Sequence, residues 1–355
     1  MIEGLDKMLE HSGLSGLDQL RGLMQELVGG PSVGGTFLGH SNLKMQSNRV
    51  FRLRFKIDDG ERTWVAKRLK PEVGRRNELA ARRWLPAVGL QDAGPALAGS
   101  VADTSGTCVW QVYEDLGDHE LNPVNSDREA VQAAAELIAQ IHTRFAGHAL
   151  LGEIRLHGGD LGAHFLKSNV RDAIYALESI KADPLHQPTR DRILQRLYIL
   201  RNELPQRERL LERWGGQETL LHGDLWATNV FISEVGGRLR ARLIDWDHVA
   251  VGPSSYDVST FLLRFPPERR QWILDIYCRE VARRGWDVPP YDELNSLFET
   301  AEYARLANQI IWPAIALAMD NAEWGFRALA DVEQWFAKFE HVLPLPGSLA
   351  TDATA

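Results

Sequence analysis

Residues 222–229 read His-Gly-Asp-Leu-Trp-Ala-Thr-Asn, and residues 244–247 read Ile-Asp-Trp-Asp. These segments place three polar side chains in a fixed order: Asp224, then Asn229 five positions later, then Asp245 sixteen positions after that. A carboxylate can take the proton of a hydroxyl group, and carboxylate and amide oxygens are the ligands that Mg²⁺ prefers in proteins. These residue types therefore suit proton transfer and Mg²⁺ binding.

The same stretch resembles the catalytic segment of the aminoglycoside phosphotransferase and choline kinase superfamily of small-molecule kinases. Protein kinases carry His-Arg-Asp at this point, whereas these small-molecule kinases carry His-Gly-Asp, an Asn five residues later, and then Ile-Asp-Trp or Ile-Asp-Phe. The Gly-Pro turn followed by Tyr-Asp at residues 252–257 matches a further feature of the family. The resemblance extends over about residues 30–340, and its specific motifs are confined to short segments of that range.

The resemblance implies an α+β fold of the bilobal, protein-kinase-like kind, with a small antiparallel β-sheet N-lobe and a larger, mainly helical C-lobe. A chain of 355 residues suits two packed units better than one small core. We expect the following division: an N-terminal helical arm at 1–30, a nucleotide-binding N-lobe at 31–117, a catalytic and substrate-binding C-lobe at 118–345, and a flexible tail at 346–355.

A β-hairpin is predicted at residues 48–67. Apolar and basic side chains alternate strictly between positions 51 and 57, which is the period of a half-buried strand, and Asp-Asp-Gly follows as a turn signal. The returning strand ends in Val65-Ala66-Lys67. The resemblance implies that Lys67 binds nucleotide phosphates, as the strand lysine of kinases does. Val65 lies on the same strand face, so we expect it to contact the adenine.

The helical stretch at residues 75–85 contains Glu78, eleven positions after Lys67. In kinases a glutamate on this helix pairs with the strand lysine and directs it towards the phosphates. The resemblance therefore implies a Glu78–Lys67 ion pair. The alternative is a surface pair with Arg82, four residues further along the same helix.

Further nucleotide contacts follow from the resemblance. Ser47 and Asn48 directly precede the first hairpin strand, where relatives carry a phosphate-binding loop, although the glycines of that loop are missing here. Residues 109–117 read as an apolar strand followed by Glu-Asp-Leu-Gly, as in the family. The backbone near Glu114 and Leu116 is therefore expected to meet the adenine edge.

The acceptor is expected to contact the catalytic segment through Asp224, Asp247 and Trp226. Asp247 lies two positions after Asp245, so magnesium binding, contact with a cationic substrate and stabilisation of the loop all remain open for it. Asp257, at the start of the helix after the Gly-Pro turn, should hydrogen-bond back to the catalytic loop or cap its own helix. The resemblance implies that Asp224 is the general base, that Asn229 and Asp245 are catalytic-site ligands of the cofactor Mg²⁺, and that ATP or GTP is the co-substrate.

Composition excludes several classes of protein. The net charge of −8 argues against a nucleic-acid partner, which favours a basic surface. Cys108 and Cys278 are too far apart in sequence to suggest a disulfide framework or a paired-cysteine metal site. The longest apolar run has ten residues and contains Pro313, too short to span a membrane. The first residues lack the pattern of a signal peptide, so the cytoplasm is the expected location.

The expected function is the Mg²⁺-dependent transfer of the γ-phosphate of ATP or GTP to a hydroxyl of an aminoglycoside, amino alcohol, sugar or related metabolite. A catalytically silent pseudokinase or interaction scaffold would have lost at least one of the four key residues, Lys67, Asp224, Asn229 and Asp245, and all four are present. A protein kinase would carry an activation segment ending in Ala-Pro-Glu, which this chain lacks. Oligomeric state stays open.

Three further expectations concern packing. Residues 126–146 are predicted to form a helix that begins with a Ser126–Glu129 capping box. The His-Gly-Gly-Asp sequence at 157–160 is similar to the catalytic motif, but its extra glycine shifts the Asp, so we interpret residues 150–170 as a connector in which Asp160 forms a turn. Most of the tryptophans after residue 267 are expected to pack between helices.

Overall fold

The computed structural model describes residues 14–28, 35–43, 49–57, 60–181, 183–339 and 341–344. They form two compact units. One comprises the described residues up to Leu121 together with Thr228–Asp247, and the other comprises Asn122–Ala227 and the described residues from His248 onwards. Residues 228–247, which the sequence-based division placed in the second domain, therefore make their contacts within the first unit.

The first unit is built on an antiparallel sheet whose strands, within the described residues, follow the order β1-β2-β3-β5-β4. The hairpin predicted from period-two alternation is confirmed, because β2 and β3 pair with Val50 opposite Lys67 and Ile57 opposite Gly60. Its Asp58-Asp59 turn lies outside the described residues. The strands are β1 (Thr36–Asn42), β2 (Val50–Ile57), β3 (Gly60–Leu69), β4 (Leu97–Ala102) and β5 (Val109–Glu114).

One face of this sheet forms the core of the first unit. The apolar set of β2 faces inward, so that Leu53 and Phe55 are fully buried against Trp110 of β5. The helix α1 (Leu17–Val28) covers the same face and adds Leu20 and Met24 to the core. The opposite face is left to the polar and basic side chains of β2 and β3.

The helix after β3 is longer than predicted and is interrupted. It begins at Pro71, because proline suits the first position of a helix, and runs as α2 (Pro71–Leu79) into a π-helical turn at Ala80–Trp84 and a last helical turn at Leu85–Ala87. The buried Gln111 of β5 donates a 2.7 Å hydrogen bond from Nε2 to the carbonyl of Gly74. This bond fixes α2 on the sheet.

A second hairpin, β7 (Val230–Val235) and β8 (Arg238–Leu243), completes the first unit. Backbone bonds tie it to the segment after β5, with Leu121 N donating to Val230 O at 2.7 Å and Ile232 N donating to His119 O at 2.9 Å. Short 3₁₀ turns at Ala227–Asn229 and Trp246–His248 flank this hairpin. The chain therefore enters and leaves the hairpin at neighbouring points.

The described part of the second unit is mainly helical. A short antiparallel pair, β6 (Thr219–Leu221) and β9 (Ala250–Gly252), lies among the helices. None of the described helices has both the length and the apolar character needed to cross a bilayer. The helices are α3 (Arg128–Phe145), α4 (Leu151–His157), α5 (Ala163–Ser179), α6 (Gln187–Trp214), α7 (Ser255–Leu263), α8 (Pro267–Ala282), α9 (Tyr291–Asp320) and α10 (Trp324–Lys338).

The predicted helix at 126–146 is confirmed as α3, but its capping box is wrong. Asp127 is the N-cap residue, and the Ser126 hydroxyl accepts a 2.8 Å bond from Asn122 N instead of capping the helix. The interpretation of 150–170 as a connector is wrong for most of its length, because α4 occupies Leu151–His157 and α5 begins at Ala163. The turn at Asp160 is confirmed, because Asp160 Oδ1 accepts a 2.9 Å bond from Gly162 N.

The expectation that most of the later tryptophans are core residues is wrong. Trp312, Trp324 and Trp335 are 67%, 51% and 57% exposed. Small and branched side chains, such as Ala307 and Ala314 of α9, fill the interface with α5 and α6, so the helices approach too closely to accept indole rings there. The tryptophans consequently lie on the outer faces of α9 and α10.

Leu20→Ala should lower the free energy of unfolding of the first unit by about 2–5 kcal/mol, because it leaves a cavity under α1. Glu26→Ala, on the exposed side of the same helix, should change it by less than about 0.5 kcal/mol. Thermal and urea unfolding of the two variants would check this, and equal stabilities would show that α1 does not contribute to the core.

Candidate active site

The polar face of β3 opens onto a cavity of about 450 Å³ lined entirely by residues of the first unit. This volume lies in the range of small-molecule sites, roughly 300–1,000 Å³. Val65 and Lys67 both line the cavity, whereas Ala66 between them is fully buried on the opposite face. The shared face predicted for Val65 and Lys67 is thus present.

Lys67 is held by two carboxylates. Its Nζ donates hydrogen bonds to Asp245 Oδ1 and, at 2.7 Å, to Asp247 Oδ1. Burial disfavours the charged ammonium, but the two carboxylates outweigh that effect, and the pKa of Lys67 is raised above its usual value. The side chain therefore stays protonated in the cavity.

Asn77, which the sequence analysis did not identify, completes this cluster. Its Nδ2 donates to Asp247 Oδ1 at 2.7 Å and to Val73 O at 3.0 Å. The preceding residues of α2 are fixed to the sheet, so the helix presents position 77, rather than 78, to the cavity. Asp245 and Asp247 already neutralise the charge of Lys67, so the helix contributes a neutral amide and not a third carboxylate.

The predicted Glu78–Lys67 ion pair is wrong. Glu78 lies 3.2 Å from Arg82, its partner one helical turn later, and both side chains are well exposed. This is the alternative that the i,i+4 spacing offered. A single-residue difference along a helix turns a side chain by about 100°, so the sequence distance from Lys67 alone did not decide which residue faces it.

The hairpin β7–β8 positions Asn229 and Asp245 at its two ends. Ile244 N donates to Asn229 O at 2.9 Å, and Asn229 and Asp245 both line the cavity. Asp245 has a φ of 69°, in the left-handed region that costs a non-glycine residue on the order of 1–2 kcal/mol and that Asp tolerates better than most. This conformation is compatible with the contact between Asp245 and Lys67.

The pair Asn229 and Asp245 fits a magnesium ion bound together with phosphates. Mg²⁺ usually takes one or two protein oxygens and completes its shell with water and phosphate oxygens. Asn229 and Asp245 offer that number of side-chain ligands, so the donor set suits Mg²⁺ bound with a phosphate-bearing ligand.

The last residue of β5, Glu114, and Leu116 in the segment after it line the cavity. The N–H of Glu114 donates to Ala96 O at 2.9 Å, and its carboxylate lies 2.7 Å from Arg242. The Glu114 amide is therefore already engaged, which leaves the backbone of Leu116 as the N–H to consider for a nucleotide base. Ser47 and Asn48, the predicted phosphate-loop residues, lie outside the described residues.

Arg52 is a further cavity residue that the sequence analysis missed. Its Nε lies 2.7 Å from Asp115, and its Nη2 donates to Gly117 O at 2.9 Å, so it fixes the turn that contains Leu116. The pairing of the two hairpin strands would have identified Arg52 as a cavity residue. Arg52 is opposite Val65 and therefore shares the cavity face.

In the second unit, the catalytic loop begins with a turn that only glycine allows. Gly223 has a φ of 81°, and a Cβ at this position would lie 1.9 Å from His248 O. The fully buried Asp257 accepts bonds from His222 N at 2.6 Å and from Gly223 N at 2.9 Å. The prediction that Asp257 bonds back to the catalytic loop is confirmed.

Asp257 also faces the buried His142, whose Nε2 lies 3.4 Å from its carboxylate and whose Nδ1 lies 2.9 Å from the Tyr277 hydroxyl. Burial raises the pKa of Asp257, but the bonds and charges of His142 and His222 outweigh it, and the net pKa is lowered. The carboxylate is therefore ionised at neutral pH and holds the loop as an anion.

Trp226 follows Asp224 by two positions, and its backbone N–H donates to the backbone carbonyl of Asp224 at 2.9 Å. Trp226 is 39% exposed, and Arg264 covers its indole ring, with the guanidinium carbon 3.4 Å from the ring centroid. Arg264 follows the last residue of α7. Nothing in the local sequence pattern marked this arginine as a neighbour of the catalytic loop.

A family model described as the phosphotransferase enzyme family, APH, matches residues 43–294. The chain belongs to this family. The match covers the cavity, the catalytic loop and most of the second unit, and it confirms the predicted phosphotransferase class. A search of curated proteins finds no match.

Solved structures of similar fold include several small-molecule kinases. The Plasmodium vivax ethanolamine kinase has a TM-score of 0.53 at 13% identity and covers 86% of this chain and 82% of its own. The spectinomycin phosphotransferase APH(9)-Ia, in complex with ADP and spectinomycin, has a TM-score of 0.52 at 14% identity, covering 91% and 98%. The GDP and kanamycin complex of APH(2")-IIia has a TM-score of 0.59 at 14% identity, covering 90% and 99%. At these identities the similarity shows the fold, and the predicted α+β, protein-kinase-like fold is confirmed.

Asp257→Asn should lower the free energy of unfolding by about 3–5 kcal/mol, because it removes a buried charge that three donors satisfy. Since the pKa of Asp257 is lowered in the folded state, its contribution is complete above about pH 4 and is lost as the pH falls below that value. Thermal unfolding of wild type and variant at pH 7 and at decreasing pH would check both statements. The difference in the free energy of unfolding between wild type and variant should become smaller only as the pH falls below about 4. A difference that already becomes smaller above about pH 5 would contradict the lowered pKa of Asp257.

Proposed function

We propose that this chain is a Mg²⁺-dependent kinase that transfers the γ-phosphate of ATP or GTP to a hydroxyl of a small molecule, such as an aminoglycoside, an amino alcohol, a sugar or a related metabolite. The observation that carries this proposal is the charged Lys67 in a cavity of nucleotide size, together with Asn229 and Asp245 on the same cavity wall. Family membership and the ADP- and GDP-bound structures of similar fold support it.

In this proposal the cavity holds the nucleotide. Val65 contacts the adenine or guanine ring, the backbone around Glu114 and Leu116 meets its edge, and Ser47 and Asn48 approach the phosphates. Lys67 offers its positive charge to the phosphate oxygens. Asn229 and Asp245 hold Mg²⁺, which would neutralise negative charge on the phosphoryl group as it transfers.

Asp247 takes the place that Glu78 was expected to fill. It is bonded to both Lys67 and Asn77, so it can keep the lysine in position while Asp245 turns to the metal. These contacts favour a lysine-holding role for Asp247 over the acceptor contact considered for it from the sequence. Glu78, paired with Arg82 at the surface, has no part in the proposed phosphate site.

Asp224 is the proposed general base. Its carboxylate accepts a hydrogen bond from the acceptor hydroxyl and takes the proton as the new oxygen–phosphorus bond forms. Gly223 and Asp257 act on this step only through position, because they fix the backbone from which Asp224 projects. Trp226 is the proposed contact for the body of the acceptor.

Asp224→Asn should reduce kcat by about 10²–10⁴-fold, the usual contribution of general base catalysis, while the Kd for the nucleotide changes by less than about twofold. Release of the nucleoside diphosphate and calorimetric titration of the nucleotide measure the two quantities. Full activity of this variant would exclude Asp224 as the base.

Asn77→Ala should weaken nucleotide binding about 2–10-fold, because Asp247 loses a hydrogen bond that fixes it beside Lys67. Glu78→Ala, at the neighbouring helix position, should change the affinity by less than about twofold, since an exposed i,i+4 pair contributes little. Calorimetric titration of both variants would compare them directly. A larger loss for Glu78→Ala would restore the kinase-like lysine–glutamate pairing.

A further inference from the structure

Arg264 lies beside the catalytic loop. The guanidinium of Arg264 stacks on Trp226, and the Trp226 N–H is bonded to the carbonyl of Asp224. Arg264 and Asp224 are close enough for their charges to interact. A ligand that reaches Asp224 from the second unit therefore meets this guanidinium as well.

The charge of Arg264 lacks a dedicated partner. Its Nε is buried with no hydrogen bond, and within the described part of the chain its guanidinium forms no ion pair. The pKa of Arg264 is lowered, first because burial removes water from the guanidinium and also because Arg305 is nearby, and the attraction of Glu302 and Asp224 does not offset these effects.

The neighbouring Arg305 shows what a satisfied arginine looks like in this unit. It forms an ion pair with Glu302 and donates from Nη2 to Tyr256 O at 3.2 Å. Glu302 in turn accepts a 2.7 Å bond from the Ser259 hydroxyl. Glu302 is thus committed to Arg305 and Ser259, and Arg264 has no ion pair of its own among the described residues.

A half-buried guanidinium with unused donors, lying flat on an aromatic ring, is the arrangement by which proteins recognise planar anions. Leaving it unpaired costs free energy that an anionic ligand would recover. A polycation brought to the same place would be repelled. The guanidinium of Arg264, which has no ion pair, suits a ligand group with one negative charge. A phosphate dianion would bring a second negative charge close to Asp224.

We propose that the acceptor of this kinase is a hydroxy acid whose carboxylate binds Arg264 while its hydroxyl faces Asp224 and its carbon chain rests on the exposed part of Trp226. This inference rests on the proposed function and narrows its acceptor range. The acceptor oxygen forms a bond to the γ-phosphorus, the bond from that phosphorus to the β-phosphate oxygen breaks, and the hydroxyl proton passes to Asp224. The products are a phosphorylated hydroxy acid and the nucleoside diphosphate, and the carboxylate itself does not react.

Matched acceptors test the proposal on the full chain with Mg²⁺ and ATP. We would compare 3-hydroxypropanoate with 3-hydroxypropanamide and with 3-aminopropan-1-ol, which share the hydroxyl and differ in the charge at the other end. The acid should have a kcat/KM at least about tenfold higher than the amide. Arg264→Gln should raise the KM for the acid about 10–100-fold, the range for a lost charge-assisted bond, and affect the amide far less.

Two further variants separate charge from folding. Arg264→Lys keeps the positive charge without the planar fork, so its KM for the acid should fall between those of wild type and Arg264→Gln. Arg283→Gln removes an exposed arginine that pairs with Glu280, and it should behave as wild type towards all three acceptors. A KM for the acid that is equal in wild type and Arg264→Gln would overturn the proposal.

Preference for the amine or the amide would also overturn it and would leave the kinase assignment standing. Calorimetric titration of the acid in the presence of a non-hydrolysable ATP analogue gives a reading that does not depend on turnover. Binding of the acid that is lost in Arg264→Gln supports the carboxylate site even if no transfer occurs, in which case the proposed function is what fails. Absence of acid binding, or tighter binding of 3-hydroxypropyl phosphate, contradicts the carboxylate assignment.

Discussion

The buried ammonium of Lys67 is the constraint around which the first unit is arranged. A charge removed from water in this way needs opposite charges at hydrogen-bond distance, and Asp245 and Asp247 provide them. Both acids follow the β7–β8 hairpin, which explains why that hairpin belongs with the sheet although it is distant in sequence. The left-handed backbone of Asp245 is a local cost that these contacts offset. The helix α2 contributes a neutral amide, Asn77, instead of a third charge.

The second unit applies the same rule to Asp257 and departs from it at Arg264. Asp257 is fully buried and has donors on several sides, so its charge stabilises the turn that presents Asp224. Arg264 is partly buried and stacked, yet its donors are not used up by the protein. A buried charge such as Asp257, whose hydrogen bonds are all made within the protein, stabilises the structure. A charge such as Arg264, which keeps unused donors, is available to a ligand, and for this reason we propose that Arg264, and not Asp257, binds the acceptor.

Sequence reasoning succeeded where a residue's role follows from spacing within one segment. The period of two predicted the hairpin and the common face of Val65 and Lys67. The roles that the loop motif assigns to Asp224 and Asn229 stay predictions. It failed where the outcome depends on which of two adjacent side chains faces a distant segment, as for Asn77 against Glu78, because the helical phase is set by contacts such as the Gln111–Gly74 bond. It also failed for Arg264 and for the exposed tryptophans, since their environments are created by helix packing and leave no local pattern.

The π-helical turn at Ala80–Trp84 has a consequence for changes in chain length. A π turn accommodates one more residue than an α-helical turn, so it absorbs an extra residue between the part of the helix that carries Asn77 and the part that carries the fully buried Trp84. Deleting one residue here would restore regular α-helical winding and leave the two parts in nearly the same relative orientation. The same deletion in the regular winding of α2, between Gly74 and Asn77, would turn Asn77 by about 100° relative to the sheet contact. A one-codon deletion should therefore be tolerated better in the π turn than in α2.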